Sequence, residues 1–466
     1  MGNVSYYPTG VCLYKPEKCY NGYTLYACPG GGAVIIDMHG NEFRRFENIT
    51  GFPLKMLPNG HIMGSSAEIP NHLQDMADLI EIDWDGNIVW KYDAFTTWTA
   101  NGQKPVPALR QHHDFQREGT PNDYCPLKDG EVFEKRGKTL ILCHENVENP
   151  KISDKMLLDD TIIEVDEDGH ILWRWSASEH IDEFGFSPVQ RETIRKWPNY
   201  EPRSGCGDWL HINCVSWLGE NPWYDQGDER FRPENILFGS REGCVMCIIS
   251  HETGRVVWRL GPDFSENETL KAIGWIIGQH HVHMIPKGFP GQGNILLFDN
   301  GGAAGYGVPT PYNPTGNKAI HRDYSRILEI NPVTLKVEWE YSAAQAGYFG
   351  PLEGFRFYSK LVSSAQRLPN GNTLITEGVD GRIFEVTRDF ELVWEFTNPV
   401  FNGKGNGSAF QPPYMNMLYR SYRIPYPWIP QLEPPKDLPP ITPLANSNFR
   451  VPGSPALSRT KPVKIS

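Results

Sequence analysis

The chain has 466 residues with 45 Gly, 39 Pro and 12% aromatic residues, and its formal net charge is −12. The apolar and aromatic content excludes a disordered chain, and the excess of 56 Asp and Glu over 44 Lys and Arg, with no basic run, argues against a phosphate-backbone binder. No run of roughly 18 uncharged apolar residues offers a membrane-spanning helix.

Residues 1–10 lack a charged start and an apolar core, so the expectation is a soluble, unexported, cytoplasmic protein. Nine cysteines, an odd number without close regular spacing, fit a reduced chain without disulfides. Cys244 and Cys247 have the spacing of a redox or zinc pair. They lie in an apolar strand run with no second such pair, and so read as buried structural thiols.

Along the chain one pattern repeats: an apolar strand, a turn with Asp/Asn-Gly or a substitute, and a second strand ending in Trp or another aromatic. A degenerate copy covers 34–46, clear copies cover 79–92 and 162–175, and further copies cover 245–260, 327–341 and 383–396. Period-two alternation on both sides of a tight turn predicts β-hairpins. A second strand pair precedes most of them, as around Pro58-Asn59-Gly60 and Pro369-Asn370-Gly371. Four antiparallel strands repeated six times predict an all-β fold, a six-bladed β-propeller over 1–430. Trp90, Trp173, Trp258, Trp339 and Trp394, which close five of the hairpins, then pack between blades. The insertions at 94–110, 176–208 and 343–357 follow the closing strands and belong on one face, with helix confined to them, for example over 187–196. The Pro-rich segment 431–466 has no period and is expected to form a C-terminal extension, a strap to about Pro452 and frayed beyond.

In a propeller whose blades run from an inner strand A to an outer strand D, strand A borders the central channel. Six of the 14 histidines fall on three A segments: His112 and His113 in 111–114, His211 in 209–213, and His280, His281 and His283 in 279–283. The rest, His144 among them, read as residues of turns, outer strands or loops. Imidazole alone switches among acid, base, nucleophile and metal ligand near neutral pH, so three clusters on one channel point to chemistry there. Lys55, Arg241, Asn300, Ser363, Ser364, Tyr419 and Arg420 are candidate companions. No phosphate-cradling Gly-Lys loop, dinucleotide Gly-x-Gly-x-x-Gly or Gly-x-Ser-x-Gly elbow occurs, so nucleotide cofactors and serine hydrolysis are unsupported.

The ordered set His112-His113-Asp114, Asp208-Trp-x-His211-x-Asn213, Ser240-Arg241 and Gln279-His280, with the recurring Asp-x-x-Gly-x-Ile-x-Trp hairpin, resembles bacterial aryl-sulfate sulfotransferases. The resemblance covers about 10–430 and includes the segment from Tyr419 to Pro425. It implies a six-bladed propeller that moves a sulfuryl group from an aryl sulfate to a phenol, ping-pong through a sulfohistidine, with no nucleotide donor or other cofactor. By position it implies His280 as nucleophile, with His211, His112, His113, Asn213 and Arg241 completing the catalytic set. His281, Ser363, Ser364, Tyr419, Arg420 and Lys55 are expected around the substrate, Ser363 or Ser364 standing where the family has Thr. Strand alternation by itself favours His281 over His280 as the channel group; His280 is assigned because it follows Gln279 where strand A begins.

Two other readings of the same residues stay open. One is a divalent transition metal on His113, His211 and His281 serving a lyase or hydrolase; the other is a non-enzymatic propeller that binds an anion or a protein. The expected partners are a small-molecule aryl sulfate and a phenol, with no nucleic acid and no membrane; a homo-oligomer is compatible with the sequence.

Overall fold

The computed structural model describes residues 9–29, 32–69, 74–98, 104–120, 122–125, 137–202, 204–349, 352–401 and 415–443. Six antiparallel sheets form the predicted β-propeller. Blades 2 and 4 run from A to D as Thr50–Met56, Ile62–Ser65, Leu79–Ile82, Ile88–Tyr92 and as Ile212–Trp217, Ile236–Ser240, Val245–Ile249, Val256–Leu260. Blade 3 is Gln111–Arg117, Thr139–Val147, Leu157–Val165 and Ile171–Ser176, and blade 5 is His280–Met284, Ile295–Asp299, Arg326–Ile330 and Val337–Ser342. Blade 6 is Ser364–Arg367, Thr373–Glu377, Arg382–Val386 and Leu392–Thr397. The hairpins read from the sequence are the C–D pairs.

Blade 1 is composite. Its B, C and D strands are Tyr23–Ala27, Ala33–Ile36 and Glu42–Phe46, but its A strand is Ser421–Ile424 from the far end of the chain. At the adjoining seam Gly10–Tyr14 adds a fifth strand outside blade 6, pairing with Leu392–Thr397. Both ends of the chain therefore tie the ring shut.

The closing tryptophans share one clasp. The indole N–H of Trp90, Trp173, Trp258, Trp339 and Trp394 donates to a carbonyl in the C–D turn of the next blade, namely Glu167, His251, Pro332, Arg388 and Met38, at 2.8–3.0 Å. A buried indole needs such a partner, and the turn carbonyls need a donor. Blade 1, which lacks the Trp, reaches the same place differently: Phe46 packs on Trp84 of the next turn, and Arg44 donates to the Trp84 carbonyl at 2.8 Å.

Strand direction alternates within a blade, so D–A and B–C loops emerge at the end of the molecule where the A strands begin. The predicted insertions lie there, as does an unforeseen one between B and C of blade 5 that carries the small hairpin Ala304–Tyr306/Asn317–Ile320. Among the described residues the α-helices Pro188–Lys196 and Glu268–Ile273 follow closing strands as expected, whereas Pro222–Asp225 lies outside such insertions, in the A–B loop of blade 4, and none is long and apolar enough to cross a membrane. Ser187 and Gln190 form a capping box at the first helix, with Pro188 in its first turn.

The opposite end of the channel is filled from blade 3. Asp123 and Tyr124, in the A–B loop, are buried; Asp123 meets His283 and the backbone of Arg367, while Tyr124 packs on Tyr422 and Trp428. Beyond blade 1, Trp428 donates to the Cys125 carbonyl, Gln431 to that of Asn59, and Ile441 exchanges backbone bonds with Tyr14. The part of the expected extension over 444–466 lies outside the described residues. All nine cysteines are free thiols, and Cys244 and Cys247 belong to different apolar clusters. Burial pushes the Cys244 thiol up to about 12, as expected of an inert structural group.

Candidate active site

The A strands do not begin as regular ladders. His113, His211, His281 and Ser363 have φ of +55°, +52°, +51° and +87°, a left-handed backbone that L-residues adopt at a cost of about 1–3 kcal/mol. The A–B pairing slips at the same places, between Gln111 and Phe115, Ile212 and Cys214, and His280 and His283. Such bulges re-aim side chains. Here they sort the histidines into two sets. The Nε2 atoms of His112, His281 and, unexpectedly, His144 are sealed in protein without a partner, whereas those of His113, His211 and His280 are not.

His280 is held firmly. Asn300 donates its amide N–H groups to the carbonyls of Ser359 and Val362 at 2.7 and 2.9 Å, which fixes its Oδ1 toward Nδ1 of His280 at 2.7 Å. The Gly278 carbonyl is 3.1 Å from the same nitrogen. Two acceptors at Nδ1 place the proton there and leave Nε2 as a bare lone pair. Burial, then the positive charge of Arg241, hold the His280 imidazole well below the ordinary histidine range, partly offset by Asn300. His280 is thus a neutral base whose Nε2 lone pair is committed to no protein partner.

His211 donates from Nδ1 to Asp208 at 2.5 Å, and its ring meets that of His113 edge-on at 4.4 Å. Asp208 is in reach because its strand, Cys206–Asp208, pairs parallel to Leu157 and Leu158 of blade 3. Burial pushes the Asp208 carboxyl up, but His211 beside it more than compensates, so it remains a carboxylate. Arg241, 13% exposed, pairs with Glu242 and donates to the Ala303 carbonyl at 3.2 Å, so its guanidinium is anchored at the rim beside His280.

An aromatic wall adjoins these groups. Phe52 stacks on Tyr419 at 3.9 Å and meets His113 edge-on at 4.6 Å, with Leu361, Val362, Val379, Met415 and Met417 packed around it. The sequence reading missed Phe52. Its only local sign is the following proline, which carries no chemistry.

Several expected site residues lie elsewhere. Lys55 and Arg420 are buried beneath the site as the two cations that share the single Asp114 carboxylate, each at 2.9 Å, so both are already engaged by an anion of the protein. Tyr419 spends its hydroxyl on the carbonyls of His113 and Asn213 and offers only its ring. Asn213 braces the next blade through the Gln279 carbonyl at 2.7 Å. Ser363 bonds to Ser359 and the Leu361 carbonyl, and Ser364 to Thr376, all buried within blade 6 and its approach. His112 stacks on His144 at 3.4 Å, away from the open side. His281 binds the Ala365 carbonyl and packs against His283 and Tyr422, so it is neither a substrate contact nor convergent with His113 and His211 as a metal ligand.

The neutral histidines make stability depend on pH. Burial, then Arg241, His211 and Arg420, depress His280 against the opposing bond of Asn300, and burial, then His283, Arg420 and Lys55, depress His281 against the opposing bond of the Ala365 carbonyl. Above the unfolded histidine value of about 6.5 neither state binds a proton; below it the unfolded chain does and the native chain resists. Stability should therefore fall as pH drops below that value, by up to about 1.4 kcal/mol per pH unit for each of the two. Urea unfolding at neutral and mildly acidic pH measures this, and equal midpoints would contradict it.

Among solved structures the chain is similar to a protein of unknown function from Bacteroides caccae: 11% identity, 87% of this chain and 99% of that chain covered, TM-score 0.42. It is also similar to the Cps50 (Swd1) β-propeller domain of Myceliophteria thermophila: 9% identity, 86% and 89% covered, TM-score 0.38. No curated protein matches the chain. The family description of arylsulfotransferase (ASST), by contrast, matches residues 115–393, which is more than half of the sequence and includes His211, Arg241 and His280. With a propeller that gathers those three residues at one mouth, the chain belongs to the arylsulfotransferase family.

Proposed function

We propose that the protein transfers a sulfuryl group from an aryl sulfate to a phenol through a sulfohistidine on Nε2 of His280. The observation that carries this reading is the bare, unsealed Nε2, fixed by the Asn300 and Gly278 oxygens at Nδ1. In the first half-reaction the Nε2 lone pair attacks sulfur in line, and the S–O bond to the aryl group breaks as the N–S bond forms. The departing phenolate takes a proton from His211, whose imidazolium form has the Asp208 carboxylate as partner. In the second half-reaction the acceptor phenol returns that proton to His211 as its oxygen attacks sulfur and the N–S bond breaks. Arg241 meets charge on the sulfuryl oxygens, a contact worth about 3 kcal/mol by analogy with oxyanion donors. Phe52 and Tyr419 supply faces for the aryl ring. Nucleophile, acid, cation and aromatic wall are all side chains, so the chemistry requires no cofactor.

The test is p-nitrophenyl [35S]sulfate without acceptor. A burst of about one nitrophenol per chain, with label on the peptide containing His280, is expected. Acceptor-dependent turnover with neither burst nor label would mean direct transfer and overturn the reading. Asn300→Leu removes the acceptor that sets the tautomer and should lower kcat by about 10–100-fold with KM little changed, while Asn300→Asp recovers part of it. An unchanged kcat in Asn300→Leu would remove the tautomer argument.

A further inference from the structure

Behind the open histidines, blade 3 holds a cluster that the sulfuryl chemistry does not use. His112, His144 and Asp160 come from strands A, B and C of this one sheet, and His144 and Asp160 are directly opposite in the B–C ladder. One donor atom of each lies within 4.8 Å of the other two. Nε2 of His112 is 3.3 Å and Nε2 of His144 3.8 Å from Oδ1 of Asp160, and all three side chains are wholly buried.

The hydrogen bonds around the cluster determine what its inward atoms are. His144 holds its Nδ1 2.6 Å from a carboxylate oxygen of Asp75, whose other oxygen accepts from Arg110 at 2.7 Å, so the His144 proton is on Nδ1 and its Nε2 is a lone pair. His112 has its Nδ1 2.9 Å from Nδ1 of His113. Both inward Nε2 atoms lack any hydrogen-bond partner. The Asp160 carboxylate accepts two long bonds of 3.2 Å from the Ile212 N–H, and among the described residues no Lys or Arg pairs with it. The His144 lone pair and Nε2 of His112 therefore face the Asp160 oxygen with no hydrogen bond formed among the three, an arrangement of buried polar atoms that costs several kcal/mol unless a shared cation satisfies them.

We propose that His112, His144 and Asp160 bind a divalent first-row transition ion of the zinc class. Two neutral imidazoles and one carboxylate are borderline donors suited to such an ion. At bond lengths of about 2.0–2.1 Å the ligand atoms of a tetrahedral ion stand about 3.3 Å apart, which is the separation of His112 from Asp160. Asp75 behind His144 is the outer carboxylate that orients a metal-binding imidazole. The two rings now lie parallel at 3.4 Å, and an ion would fan them apart about Nε2. Its place is beside the reacting groups, because His112 touches His113, and its effect is to fix strands A, B and C where the strained backbone of His113 begins. The ion touches neither His280 nor the substrate, so this inference stands whether or not His280 carries a sulfuryl group.

The experiment uses tag-free full-length protein purified without chelator. Elemental analysis should find about one zinc-class ion per chain, chelation should lower the melting temperature, and added Zn2+ should restore it. Co2+ added to the stripped protein should give the intense visible bands of a four-coordinate ion. His144→Ala and Asp160→Asn should each lose the ion and the Co2+ bands. Metal-free protein whose melting temperature and spectrum respond to neither Zn2+, Mn2+, Fe2+ nor Co2+ would overturn the proposal, and the cation between these groups would then be a proton. Full stoichiometry retained in both variants would overturn it equally. The wild-type measurements decide the matter even if a variant fails to fold.

Discussion

His280→Asn is expected to abolish the donor half-reaction, with acceptor-dependent turnover down by about 10⁴-fold or more, the scale on which loss of a catalytic nucleophile is felt. Asn is smaller than His, keeps a polar tip toward Asn300 and demands no unusual backbone at a position of ordinary φ, so the variant should fold. No nitrophenol burst and no trapped label are expected from it. His281→Asn is the contrast. Its ring is sealed among Ala365, His283 and Tyr422, so the change should cost stability and some rate while labelling persists. Labelling kept in His280→Asn and lost in His281→Asn would reverse the assignment.

The largest effect on stability should follow Asp114→Leu. Asp114 is buried, binds Lys55 through Oδ1 and Arg420 through Oδ2 at 2.9 Å each, and accepts the N–H groups of Phe115 and Val215. Burial pushes its carboxyl up, yet Arg420 and Lys55 outweigh this and hold it below the ordinary range. Removing one anion leaves two cations in the middle of the channel without a counter-charge. Breaking one buried pair costs about 3–5 kcal/mol, so Asp114→Leu should lose at least that much. Asp114→Asn keeps the shape and isolates the charge term. Chemical denaturation showing under about 1 kcal/mol of loss in Asp114→Leu would refute the account.

The clasp tryptophans and the C–D hairpins were legible because each is a local pattern: a turn residue, alternation on either side, and an aromatic at a fixed distance. Those patterns recur, and recurrence alone sufficed for six blades. The same logic failed for blade 1. Its inner strand Ser421–Ile424 lies some 400 residues from its partner Tyr23–Ala27, and nothing local announces a pairing at that separation.

The site shows the same division more sharply. That histidines gather where A strands begin could be read from the residues 111–114, 209–213 and 279–283. Which of them face the opening could not. Alternation presumes an unbroken ladder, and the left-handed backbone at His113, His211 and His281 with the slipped A–B register cancels it. Parity would have chosen His281, yet at the slipped register it is Nε2 of His281 that is sealed and that of His280 that is not. Lys55, Arg420, Asn213, Ser363 and Ser364 were sound candidates by type and position; only tertiary packing gave each a closer partner, because buried polar groups are held where they can be satisfied. His144 looked like an ordinary outer-strand residue, and its stacking on His112 and opposition to Asp160 arise from cross-strand register. The sequence by itself determined the architecture and the end of the channel where the histidines collect, since both rest on short-range periodicity. The tertiary structure alone decided which imidazole nitrogens are open and which are sealed, since that depends on backbone strain and on partners far away in the chain.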